Sequence, residues 1–183
     1  MFLFLFSLSA SAADWSAVQI TAFNEATAVP YTRLPVTELH PGLAVSASIF
    51  SKERGAFSWS LDAELGGYHN DQVETAMYLL PSWRPTWWLH RAIGLTGMVG
   101  LGYKHAFYPQ PTYMLEEGEY VRQSSWGHPE ATAQIGTGLT IRTSDHLAIV
   151  AQYRGSLDGP FSSSLGMPVL MHARVHLGLE MRR

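Results

Sequence analysis

Apolar residues recur at every second position over long stretches of this chain, and that period of two commits most of it to β-strands. From 57 to 65 one parity reads Phe57, Trp59, Leu61, Ala63 and Leu65, while Ser58, Ser60, Asp62 and Glu64 hold the other. Near the C-terminus Met171, Ala173, Val175, Leu177, Leu179 and Met181 alternate with His172, Arg174, His176, Gly178 and Glu180. Residues 129–142 do the same, with Ala131, Ala133, Ile135, Leu139 and Ile141 opposed to Glu130, Thr132, Gln134, Thr140 and Arg142. With their turn signals, such segments give eight strands, over 17–26, 42–50, 56–68, 74–83, 91–105, 129–142, 147–155 and 168–181. Most reach or exceed the about 9–11 residues that a tilted strand needs to cross a bilayer, whereas globular strands average about 5–6. The fourth is apolar at both parities over Ala76-Met-Tyr-Leu-Leu80, so its faces are the hardest to assign.

Alternation alone fits a soluble barrel with an apolar core as well as a membrane barrel with an apolar outside, so composition must separate them. Only 15% of residues are charged, against about 25% in an ordinary soluble domain, which is too few to coat an aqueous exterior. The polar parity is mostly Gly, Ser, Thr and Ala with scattered ionisable groups, as a narrow packed lumen requires. Facing Arg174 to lipid would cost about 2–4 kcal/mol at the midplane, so the charged parity belongs inside. Connection lengths agree: 51–55, 84–90 and 143–146 are short at one end, whereas 27–41, 69–73, 106–128 and 156–167 include three long loops at the other. Trp83, Trp87 and Trp88 fall near the short-turn end and Tyr103, Phe107 and Tyr108 near the long-loop end, as interfacial aromatic belts do. The expected fold is therefore all-β, an eight-stranded antiparallel up-and-down transmembrane β-barrel over 13–183. Residues 1–12 read as a signal peptide, with Ala10-Ser11-Ala12 fitting the cleavage pattern. Beyond them no apolar run approaches the about 18 residues of a membrane helix; the richest, 92–103, is broken by four glycines.

Several function classes fall away at once. A net charge of -3 leaves no basic field for nucleic acid, and the absence of cysteine removes disulfides, thiolate metal sites and thiol nucleophiles. An eight-stranded barrel is also too narrow for a diffusion pore.

What remains is the polar parity. Asp62, Glu64, Lys104, Glu130, Gln134, Arg142, Arg154, Arg174, His176 and Glu180 are expected to form a hydrogen-bonded lumen network. Glu25, His172, Arg174 and Arg154 fall near its long-loop end, where a histidine beside a carboxylate suits general-base chemistry. They are the candidates if the barrel is an acyl hydrolase or transferase acting on lipid A. Barrels of that class carry His and Ser two residues apart on one strand, and none of the eight histidines has Ser at +2. No metal or cofactor is expected, since His172 and His176 lie about 13 Å apart along a strand rising about 3.3 Å per residue. His40, His69, His105 and His128 fall near strand ends as loop hydrogen-bonding groups. Tyr113-Met-Leu-Glu-Glu-Gly118-Glu-Tyr-Val-Arg122 reads as an external hairpin turning at Glu117-Gly118, with Tyr113, Leu115 and Tyr120 available to pack.

At a finer grain the chain resembles a group of small, functionally uncharacterised outer-membrane β-barrel proteins of Gram-negative bacteria. The likeness rests on Leu39-His40-Pro41-Gly42, Gly100-Leu-Gly-Tyr-Lys-His105-Ala-Phe107, Gly118-Glu-Tyr120 with Trp126-Gly127, and Pro168 to Gly178, and spans most of 36–181. His176-x-Gly178-x-x-Met181-x-Arg183 also resembles the terminal assembly signal of such barrels, differing at Arg183, where that signal ends in an aromatic. These resemblances imply a monomer in the bacterial outer membrane. Its partners would be membrane lipids, lipopolysaccharide and, during assembly, the barrel-insertion machinery. They imply no activity. A structural or interaction role is expected first, the lipid A enzyme second, and a soluble periplasmic ligand-binding barrel third.

Overall fold

The computed structural model describes residues 16–28, 38–109, 113–116, 118–122, 126–160 and 169–183; the expected signal segment lies outside them. The strands are β1 (Ala17–Thr27), β2 (Pro41–Arg54), β3 (Phe57–His69), β4 (Thr75–Trp88), β5 (Ile93–Phe107), β6 (Tyr113–Glu116), β7 (Glu119–Arg122), β8 (His128–Arg142), β9 (Leu147–Gly159) and β10 (Leu170–Arg182). Eight of them close a barrel in the order β1-β10-β9-β8-β5-β4-β3-β2, every pair antiparallel, and β6 pairs with β7 as a separate two-stranded sheet. Closure through β1 and β10 leaves no free barrel edge, the condition for a sheet to cross a bilayer with all its backbone paired. Among the described residues no helix is long and apolar enough to do so.

The faces divide as the parity requires. Ile20, Val45, Leu65, Leu79, Leu101, Ile135, Leu157 and Leu179, one from each barrel strand, all point outward and are exposed, Leu101 to 71%. An apolar belt running around the whole circumference would drive a soluble protein to associate, but it matches a hydrocarbon environment. Asp62, Glu64, Lys104, Glu130, Gln134, Arg154, Arg174, His176 and Glu180 are buried inside. A soluble ligand-binding barrel needs the opposite arrangement, which sets the third reading aside.

The lumen is less polar than expected. Phe23, Ala44, Tyr68, Ala76, Tyr78, Leu80 and Met98 form an apolar cluster within it, and this accounts for the doubly apolar stretch of β4. Ala76, Tyr78 and Leu80 point in, while Met77 and Leu79 point out. Space for the rings is made by glycines directly across the ladder. Phe23 faces Gly42 and Tyr78 faces Gly66, where an added Cβ would lie 2.2 Å and 2.4 Å from the respective ring atoms. Gly66→Val is therefore expected to cost about 1–3 kcal/mol by overpacking, read as a lowered urea midpoint of the folded barrel, whereas an unchanged midpoint would refute this packing.

β4 runs five residues past its expected end at 83, through Pro85, and also contains Pro81. Pro81 and Pro85 keep unbroken register with β3, but the β5 ladder has gaps between Leu79↔Tyr103 and Ser82↔Gly100, and between Trp83↔Val99 and Thr86↔Thr96. Proline has no N–H to donate, so its unpaired side is turned to β5 throughout. A register shift between Ser48 and Phe50 puts Ile49 and Phe50 both outside, and Phe50 packs on Trp59 at 5.1 Å. The tight β2–β3 turn uses Gly55 at φ 61. The β6–β7 hairpin turns as expected, with Glu116 paired to Glu119 and Gly118 at φ 91; Glu117 and the side chains of Tyr113, Leu115 and Tyr120 lie outside the described residues.

Candidate functional site in the barrel lumen

Three layers of buried ionic groups cross the lumen. Nearest the short turns is Arg84 on β4, whose Nε donates to Asp62 Oδ2 at 2.6 Å. Its Nη1 donates to Glu180 and to Gln19 Oε1 at 3.2 Å, and its Nη2 to Ser48 Oγ at 3.3 Å. One guanidinium thus ties β4 to β1, β2, β3 and β10. Beneath it a cavity of about 370 Å3, lined by Ser16, Ser58, Arg142, Asp145 and Arg182 among others, opens at the short-turn end. Arg142 belongs to this mouth rather than to the lumen network expected for it. It is half-buried, bonds the exposed Glu53 at 2.9 Å and lies 3.6 Å over the Trp88 ring.

The middle layer centres on Arg154, which donates to Glu64 Oε1 at 2.6 Å and to Gln152 Oε1 at 2.9 and 2.6 Å; Tyr78 adds its hydroxyl to Glu64 at 3.0 Å. His176 stacks on Phe23 with centroids 4.4 Å apart and bonds Thr21 through Nδ1 at 3.1 Å. Arg174 has no hydrogen bond on its guanidinium. It is enclosed instead by the rings of Tyr68, Tyr78 and Phe23 at 5.0, 5.1 and 5.8 Å, a cation–π box.

The layer nearest the long loops is the richest in carboxylates. Lys104 Nζ, fully buried, contacts Glu74 Oε1 at 2.5 Å, Glu130 Oε2 at 2.9 Å and Asp158 Oδ2 at 2.9 Å. His172 places Nδ1 2.6 Å from Glu25 Oε1, and its Nε2 lies 3.2 Å from Asp158 Oδ2 and 3.6 Å from Glu74 Oε1. Asn70 donates to Glu25 Oε2 at 2.9 Å, Tyr68 donates to Glu74, and the His40 ring sits 3.1 Å from the Glu25 carbonyl. Just beyond β5, Tyr108 donates to Glu130 at 2.8 Å; desolvation first, and then that carboxylate, push its phenol above its usual range.

The expected pairing of Glu25 with His172 is therefore present, while Arg154 turns to partners deeper in the lumen and Arg174 sits among the rings between the two layers, 3.9 Å from Asp158 Oδ2. Arg84, Glu74 and Asp158 were not among the expected residues. The other histidines expected near strand ends are dispersed: His69 bonds Thr75, His105 bonds Tyr103 and the Trp126 carbonyl, and His128 lies tilted against Tyr108 with centroids 5.1 Å apart.

Ser156 stands opposite His172 in the β9–β10 register, so a serine, a histidine and a carboxylate do converge here, across strands rather than along one. In a hydrolytic triad the His nitrogen remote from the carboxylate takes the serine proton. Here that nitrogen faces Asp158, and neither it nor Ser156 Oγ makes a hydrogen bond. A ring set between carboxylates on both sides suits charge pairing or metal ligation better than proton abstraction.

No family model and no curated protein matches this chain. Solved structures do. The chain superposes on neisserial surface protein A with a TM-score of 0.55 at 10% identity, covering 91% of this chain and 96% of that one. The N-terminal β-barrel domain of Pseudomonas aeruginosa OprF gives 0.51 at 14% identity over 92% and 98%. Ail, the attachment invasion locus protein of Yersinia pestis, gives 0.50 at 12% identity over 92% and 99%. The fold is a transmembrane β-barrel. At these identities the likeness carries the architecture of small outer-membrane barrels and nothing about what their loops or lumens do.

Proposed function

We propose that this chain is exported and inserted as a monomer into the bacterial outer membrane, where it serves a structural or interaction role through its long-loop end rather than as a pore. The sealed lumen carries this reading. Buried Glu25, Asp62, Glu64, Glu74, Glu130, Asp158 and Glu180 interlock with Arg84, Lys104, Arg154 and Arg174, and a plug of this kind leaves no path for solutes. The short-turn end then faces the periplasm, and the β6–β7 hairpin faces outward, presenting an element to lipopolysaccharide or another surface partner.

Two measurements test this. The purified barrel in a planar bilayer is expected to give no conductance steps, and regular steps would overturn the plug. An epitope inserted at Gly118 is expected to bind antibody on intact cells; labelling only after permeabilisation would reverse the orientation.

A further inference from the structure

The layer nearest the long loops carries more negative charge than its fixed cations offset. Glu25, Glu74, Glu130 and Asp158 are buried together, and among the described residues the permanent positive charges beside them are Lys104 and Arg174, the latter 3.9 Å from Asp158 Oδ2. With His172 neutral, the described groups of this layer leave two negative charges uncompensated. Burial makes such an imbalance costly unless a cation is supplied.

Three groups there offer metal-ligand atoms within 4.8 Å of one another: Glu74, Asp158 and His172. The separations from His172 Nε2, 3.2 Å to Asp158 Oδ2 and 3.6 Å to Glu74 Oε1, match the edges of a tetrahedron whose ligands lie about 2.0–2.2 Å from a central ion. His172 Nε2, Asp158 Oδ1 and Glu74 Oε2 are buried and make no hydrogen bond among the described residues. The other ring nitrogen is bound by Glu25 at 2.6 Å. A carboxylate in that place fixes the ring and raises its basicity, as it does behind metal-bound histidines.

We propose that this layer is a binding site for one divalent transition-metal ion, zinc by its donor set, held by His172 Nε2, Asp158 and Glu74. Glu25 orients the histidine. Lys104 shares oxygens of Glu74 and Asp158 and bonds Glu130, so ammonium and metal ion flank the same carboxylates, and together with Arg174 they bring the layer to neutrality. The ligands come from β9, β10 and the residue just before β4, with Glu25 on β1. The ion would thus fasten the β9–β10 pair across the lumen to the β3–β4 connection, with Glu25 holding the histidine from β1. Binding His172 with residues of other strands avoids the about 13 Å spacing that rules out His172 and His176 as a pair.

The test uses the full barrel, folded in detergent, stripped with chelator and titrated with zinc chloride by calorimetry, with metal content read by mass spectrometry. One equivalent of zinc is expected. Glu25→Gln, a positioning change, should weaken binding by about 10–100-fold, and His172→Gln by at least as much. His69→Gln, at an exposed histidine, should leave it unchanged. Cobalt loaded into the wild type should show tetrahedral visible bands that His172→Gln lacks. Each variant is first checked for the gel shift of a folded barrel. Failure of the folded wild type to bind stoichiometric zinc would overturn the proposal. So would His172→Gln binding as tightly as wild type, or His69→Gln abolishing binding.

Discussion

Arg84→Met is expected to destabilise the barrel by about 3–5 kcal/mol, among the largest effects of any single substitution in this chain. The guanidinium is the shared partner of Asp62 and Glu180, both buried, and its removal leaves two carboxylates in the lumen without it. Arg182 still reaches Glu180 Oε1 at 2.7 Å, but Asp62 has no other ion pair among the described residues. The damage comes from the stranded charges rather than from lost attraction. Adding Asp62→Leu and Glu180→Leu to Arg84→Met should therefore recover part of the loss, since well-packed apolar groups often replace a buried ion pair at little cost. Urea unfolding in detergent micelles or vesicles measures both. A single substitution within about 0.5 kcal/mol of wild type would mean that the short-turn end of the lumen is wet.

Leu101→Arg discriminates between lipid and water on the outside of the barrel. Leu101 is 71% exposed near the middle of β5. On an aqueous surface such a change is worth within about 0.5 kcal/mol, whereas at a bilayer midplane arginine costs about 2–4 kcal/mol. Met181→Arg, also outward but close to the short-turn end of β10, should cost only about 0–1 kcal/mol. The expected result in phospholipid vesicles is this gradient with depth. Equal, negligible effects at both positions would place the belt in water.

The barrel was legible because a period of two survives in a single sequence. The stretches with clean alternation, such as 57–65 and 171–181, form strands with their faces as read, except that Ala173 on the outward parity is fully covered. What escaped has local causes. The fourth strand is expected to stop at 83, before Pro85, but the missing donors of Pro81 and Pro85 face one neighbour only, so β4 runs on and carries Arg84 into the lumen. Asp158 lies where the pattern fades before the ladder does, since β9 extends to Gly159, and Glu74 stands just outside β4, where alternation no longer assigns a face. Arg142 had the right parity but lies at the mouth, where Trp88 and Glu53 compete for it. The loop-end cluster was only half visible. Glu25 and His172 are placed together by topology, but the rest of the cluster comes from β5, β8, β9 and the residue just before β4, which only closure brings together across the lumen. Phe23 and Tyr78 inside the barrel follow a further rule, rings opposite glycine, which needs the register to be known.

Fractionation of expressing cells, followed by gel electrophoresis with and without boiling, tests the closed membrane barrel most directly. A barrel with an apolar belt and a bonded lumen should sit in the outer-membrane fraction and migrate differently before and after boiling, because detergent alone does not open it. A soluble periplasmic protein whose mobility does not change on boiling would contradict both the closure and the inside–outside assignment.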